Sequence, residues 1–106
     1  MTDFVELTDT NFASTISGSS LALVDYYASW CGACRMAAPM FRRVAEEFKM
    51  ELFKIDAEKN PEARGMVEIE NLPTLAIVKG GKIIASLCTT KEESLRDFLK
   101  DNGVSL

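Results

Sequence analysis

The run Leu21-Ala22-Leu23-Val24-Asp25-Tyr26-Tyr27-Ala28 constrains this chain more than any other stretch. Its apolar side chains barely alternate, so a strand built from it needs cover on both faces. A strand of that kind belongs inside a sheet flanked by helices. The period then changes. Cys34, Ala37, Ala38, Phe41, Val44, Ala45 and Phe48 follow the i, i+3, i+4, i+7 spacing of a helical face. Arg35, Arg42, Arg43, Glu46, Glu47 and Lys49 take the other side. Pro39 falls inside this pattern and lacks the N–H that would bond the carbonyl of Arg35, which predicts a kink there.

Shorter signals fill in the remainder. Phe4 to Leu7 reads as a strand, and Thr8 is placed to cap a helix from Asp9 to about Ile16, broken by Gly18-Ser19-Ser20. Glu51 to Asp56 is the next strand, and Asn60-Pro61 reads as a cap followed by proline at the first helical position. Thr74 to Lys79 and Lys82 to Leu87 form a hairpin across Gly80-Gly81. Thr90-Lys91-Glu92-Glu93 reads as a capping box opening a last helix that buries Leu95, Phe98 and Leu99 and ends near Gly103. The order β-α-β-α-β-α-β-β-α predicts an α/β fold, a mixed sheet covered by helices on both faces. With 106 residues and no repeat or linker, a single domain over 1–106 is expected.

Composition removes several chemistries. The chain has no histidine, so it holds no Ser-His-Asp triad and no histidine-ligated zinc. Three cysteines cannot close a four-thiolate metal site without a second subunit, and they are too few for a secreted disulfide scaffold. A net charge of −4 argues against a nucleic-acid surface. No apolar run approaches the ~18 residues of a membrane span. The start, Met1-Thr2-Asp3-Phe4-Val5-Glu6, lacks the basic head and apolar core of a signal peptide, so the cytoplasm is the expected compartment.

The chemistry concentrates at Trp30-Cys31-Gly32-Ala33-Cys34, where the buried strand meets the helix. A first cysteine at a helix start lies beside unpaired backbone N–H groups and the positive end of the dipole, which favours its thiolate. Cys34, nearly one turn further, can attack a sulfur bound to Cys31. Half a zinc site would use the same Cys-x-x-Cys spacing, but the second half is missing. Asp25, a charge in an apolar strand, has its pKa raised by burial and becomes able to move a proton near neutrality. Met36 and Met40, one turn apart, read as helix packing.

With these residues the chain resembles the thioredoxin family over nearly its whole length. The matching pieces are Val24 to Ala28, the Trp-Cys-Gly-Ala-Cys site, Pro39, Lys54-Ile55-Asp56, Leu72-Pro73-Thr74 and Gly81. The resemblance implies the thioredoxin fold, with about five strands and four helices, and a protein disulfide reductase working through a Cys31–Cys34 disulfide. No bound cofactor is implied: electrons come from NADPH through a thioredoxin reductase, and the other partners are disulfide-containing clients of a monomer. It also implies a cis peptide before Pro73, an option inexpensive only at an Xaa-Pro bond. Asp25 would serve proton transfer at Cys34, with Lys54 beside it. Trp30, Gly32, Ala33, Leu72, Pro73, Thr74, Cys88 and Thr89 would contact substrate around Cys31. Rival readings are a dedicated electron donor, an oxidant or isomerase, a binding module whose redox site is incidental, and a cluster shared between two subunits.

Three positions depart from the family pattern. Ala33 replaces the usual proline between the cysteines, which predicts a couple somewhat more oxidising than a proline-containing version and still reducing. Thr89 replaces a glycine and narrows the expected substrate groove. Glu68 replaces a helix-ending glycine and predicts local strain or a different turn. The third cysteine, Cys88, reads either as a small apolar side chain at a strand end or as a regulatory thiol.

Overall fold

A computed structural model describes residues 3–106. Met1 and Thr2, part of the stretch read above for a leader, lie outside the described residues. The elements are β1 (Val5–Leu7), α1 (Phe12–Ser17), β2 (Leu21–Tyr27), α2 (Gly32–Glu47), β3 (Glu51–Asp56), α3 (Pro61–Arg64), β4 (Thr74–Lys79), β5 (Lys82–Cys88) and α4 (Glu92–Asp101). Five strands form one sheet in the order β1-β3-β2-β4-β5. Strands β1, β3 and β2 run parallel, β4 is antiparallel to β2, and β5 is antiparallel to β4.

The strand without alternation, β2, is the middle one. Its odd and even residues face different cores. Leu23 packs with Phe41, Val44, Leu95 and Leu99 of α2 and α4. Ala22, Val24 and Tyr26 pack with Phe12 and Ile16 of α1 and Ala63 of α3. Asp25, two residues beyond Leu23, shares the face turned toward α2.

Several helix starts differ from the sequence reading. Helix α1 begins at Phe12, because a tight turn takes residues 8–11: the Thr8 carbonyl accepts from Asn11 and Phe12 N–H, and the Thr8 N–H donates to Asn11 Oδ1. Asp9 caps a different helix. Its carboxylate accepts from the Glu62 and Ala63 N–H groups at 3.1 and 2.9 Å, closing the start of α3. Asn60 is occupied elsewhere, accepting from Asp9 N–H and donating to the Asp56 carbonyl. The expected box at Thr90 does not form. Lys91 is the N-cap residue of α4, and Thr89 Oγ1 accepts its N–H. Glu92, the first residue of α4, is bound to Arg43 and Arg96.

Helix α2 runs through Pro39 to Glu47. Met36 is 86% exposed, which overturns its reading as packing; Met40 is half-buried against the α2/α4 core. Gly80 and Gly81 both have positive φ, 61° and 79°, as a two-residue hairpin requires. A Cβ on Gly81 would stand 2.7 Å from the Ser17 carbonyl oxygen. Helix α3 ends at a Gly65 cap, so Glu68 lies beyond it in a loop, and its φ is not positive.

Candidate active site

Cys31 is the N-cap residue of α2, and its sulfur accepts the Cys34 N–H at 3.1 Å. This is the bond an N-cap side chain makes to the third helical residue, here made by sulfur. It places a partly positive donor on the Cys31 sulfur. Cys31 and Cys34 form a disulfide with their Cα atoms 5.3 Å apart. Both residues are buried in this state, at 5% and 3% exposure, and they cluster with Ala28.

Behind Cys34 lies a cleft of about 160 Å³ that reaches Asp25. Asp25 is 3% exposed and its Oδ1 has no hydrogen-bond partner. Burial pushes its pKa up to about 7, with Lys54 pulling the other way. Lys54 stands beside Asp25 in the β2–β3 register, but its ion pair is with Glu6 at 3.7 Å. Its ammonium also lies over the rings of Phe4 and Tyr27, at 5.7 and 5.5 Å. The Tyr27 hydroxyl donates to the same Glu6, and burial is the first cause raising its pKa well above the ordinary value.

On the outer side, the peptide between Leu72 and Pro73 is cis. Leu72 packs against the cysteine cluster. Trp30 is 65% exposed next to Cys31, and Gly32 and Ala33 are exposed with it. Cys88 is a free, exposed thiol, which does not fit a packed apolar side chain. With Thr89 it borders a depression shared with Leu72 and Pro73. Thr74 is placed differently from its neighbours: it is buried, and its hydroxyl donates to the Asn71 carbonyl at 2.6 Å. That bond ties the side chain to the loop before β4, and Thr74 also borders a depression with Ser86, Leu87 and Cys88. Phe4, Arg35 and Arg42, which sequence reasoning did not assign to the site, also line the Asp25 cleft. The period-2 spacing of Phe4 and Glu6 puts both on one face, but the pairing of β1 with β3 that brings them to Lys54 is not a local signal.

A thioredoxin family model matches residues 3–101. The chain belongs to the thioredoxin family. Thioredoxin from Alicyclobacillus acidocaldarius is 41% identical over 83 residues, covering 76% of this chain and 79% of that one. Thioredoxin from Buchnera aphidicola is 33% identical over 106 residues, covering 96% and 98%. Among solved structures, Plasmodium falciparum thioredoxin superposes with a TM-score of 0.80 at 27% identity, covering 93% of this chain and 97% of its own. Chlamydomonas reinhardtii thioredoxin f2 reaches 0.84 over 98% and 100% at 19% identity, a likeness of fold. The five-stranded mixed sheet with four helices is thus the thioredoxin fold, and the Cys31–Cys34 pair makes the chain a thiol–disulfide oxidoreductase able to reduce disulfides. Among the described residues no three Cys, Asp or Glu side chains gather into a set that could hold a metal ion. No helix there is long and apolar enough to cross a membrane.

Proposed function

We propose that this thioredoxin-family chain is a general cytoplasmic protein disulfide reductase, a monomer of one domain recharged by an NADPH-dependent thioredoxin reductase. The observation that carries the reading is the disulfide at the start of α2, with Cys31 Sγ on a backbone N–H and Cys34 backed by the Asp25 cleft.

In the reduced protein the Cys31 thiolate attacks one sulfur of a client disulfide, and the other client sulfur leaves as a thiolate that takes a proton. Asp25, ionised, accepts the Cys34 proton through the cleft. The Cys34 thiolate then attacks the Cys31 sulfur and expels the second client sulfur as a thiolate, which takes up the proton that Asp25 holds. Two electrons have moved to the client, and the Cys31–Cys34 disulfide remains. The reductase returns them. Lys54 tunes Asp25 by its charge. Trp30, Gly32, Ala33, Leu72, Pro73, Cys88 and Thr89 form the client surface, and the cis bend at Pro73 leaves the Leu72 backbone free to pair with an extended segment.

The test is covalent trapping with insulin as a generic client. Cys34→Ser is expected to accumulate a mixed disulfide at Cys31, seen as a mass shift, whereas Cys31→Ser should accumulate none. Trapping at Cys34, or none in either variant, would overturn the assignment.

A further inference from the structure

The cleft behind Cys34 has an outer wall whose construction assigns it a task. Phe4 lines it, half-buried, with two cations against its ring. The Arg42 guanidinium lies 5.6 Å from the ring centroid and the Lys54 ammonium 5.7 Å, one cation from α2 and one from β3. Both cations are themselves tethered. Arg42 Nε is 3.2 Å from Asp3 Oδ1, and Lys54 is paired with Glu6. Asp3, Phe4 and Glu6 thus each touch one of the two cations that line the cleft, Asp3 and Glu6 by ion pairs and Phe4 by its ring. Beneath this wall Asp25 keeps a carboxyl oxygen without a partner. The solvation of such an oxygen depends on whatever covers the space around it.

We propose that Phe4, with Arg42 and Lys54 against its ring, is the wall that limits how much water reaches Asp25, making it a positioning residue for the proton step at Cys34. This rests on the reading of Asp25 as the group that serves Cys34. The neighbours of Asp25 leave few other ways to tune it. Helix α2 presents Cys34, Arg35 and Arg42; β3 presents Lys54; β2 itself presents Tyr27, bonded to Glu6 of β1. The β4 residue opposite Asp25 is Leu75, which is apolar and fully buried. Burial is the main reason the Asp25 pKa is raised, and Phe4 is a lining residue of its cleft that substitution can remove.

Removing the wall therefore has a defined sign. Water admitted to the cleft lowers the Asp25 pKa, whereas a freed Lys54 moving away would raise it. The experiment is an NMR titration of the Asp25 carboxyl carbon in the reduced parent, Phe4→Ala and Phe4→Leu, with circular dichroism to verify folding. Phe4→Ala is expected to titrate lower by about one pH unit, a modest part of the shift full burial can impose. Phe4→Leu, which keeps an apolar wall, should stay near the parent. An unchanged or raised pKa in folded Phe4→Ala would overturn the proposal, as would a fall in Phe4→Leu as large as in Phe4→Ala. The pH profile of insulin reduction separates this wall from the chemistry behind it. If the titration moves and the profile follows, both readings stand. If the titration moves alone, the wall stands and the role given to Asp25 at Cys34 falls.

Discussion

Asp25 occupies a position where an apolar side chain would cost the fold nothing, and its proton shows what it costs instead. Folding raises its pKa from 3.8 to about 7, so its favourable contribution is complete below pH 4 and is lost as pH rises through 7. Above that the protein keeps a buried charge. The gap of 7 less 3.8, at ~1.4 kcal/mol per unit, corresponds to on the order of 4 kcal/mol. Asp25→Asn should therefore match the parent in urea stability near pH 3 and exceed it by about that amount at pH 8. A difference that stays flat across this range would contradict the assignment. Ala33 acts on the cysteines directly. Ala33→Pro should move the couple to a more negative potential, and a midpoint unmoved or less negative would count against the reading. Cys88 is exposed beside the depression it shares with Leu72 and Pro73. If it is a regulatory thiol, hydrogen peroxide should slow insulin reduction by the parent and leave Cys88→Ser unaffected; equal inhibition removes it as a switch. Of these residues, Cys31 and Cys34 were legible from their Cys-x-x-Cys spacing where strand meets helix, and Asp25 because it interrupts an apolar strand. Phe4 and Arg42 were not, since each fits an ordinary strand or helix face and acquires its place only from tertiary contact.

Among the elements, β3 and β4 fall on the residues expected of them, and the differences lie at the helix starts and at the ends of β1, β2 and β5. Helix α2 announces itself by spacing, and β2 by its unbroken apolar run. Helix α3 has four residues, and its cap comes from Asp9, far away in the chain. No local signal could reveal that, and the same contact explains why Asp9 does not start α1. Asp9→Ala should cost about 1 kcal/mol in urea denaturation, the usual loss for a removed cap. A loss near zero would mean that Asn60 and Pro61 start the helix unaided. The hairpin glycines tell the opposite story. Gly81 was readable from the Gly-Gly pair, and the structure adds a second constraint, the Ser17 carbonyl where a Cβ would lie. Gly81→Ala should destabilise by more than about 1 kcal/mol, because it combines a positive φ with that collision. A smaller effect would show that the end of α1 gives way.

At the scale of the molecule, the sandwich of helices about a mixed sheet follows from a strand with no exposed face, and that much needs only sequence. The strand order β1-β3-β2-β4-β5 does not follow from it. That order places the end of β2 beside β3 and β4, which brings Lys54 to Asp25 and the Pro73 loop to the cysteines. The family resemblance supplied this arrangement where pattern alone was silent. The account as a whole requires a reducing dithiol. Trp30, the only tryptophan, adjoins Cys31, so its fluorescence in a series of dithiothreitol buffers reports the equilibrium potential of the Cys31–Cys34 couple. A single two-electron transition more negative than roughly −230 mV is the predicted result. A midpoint above about −180 mV, the range of disulfide isomerases, or no transition at all, would contradict it.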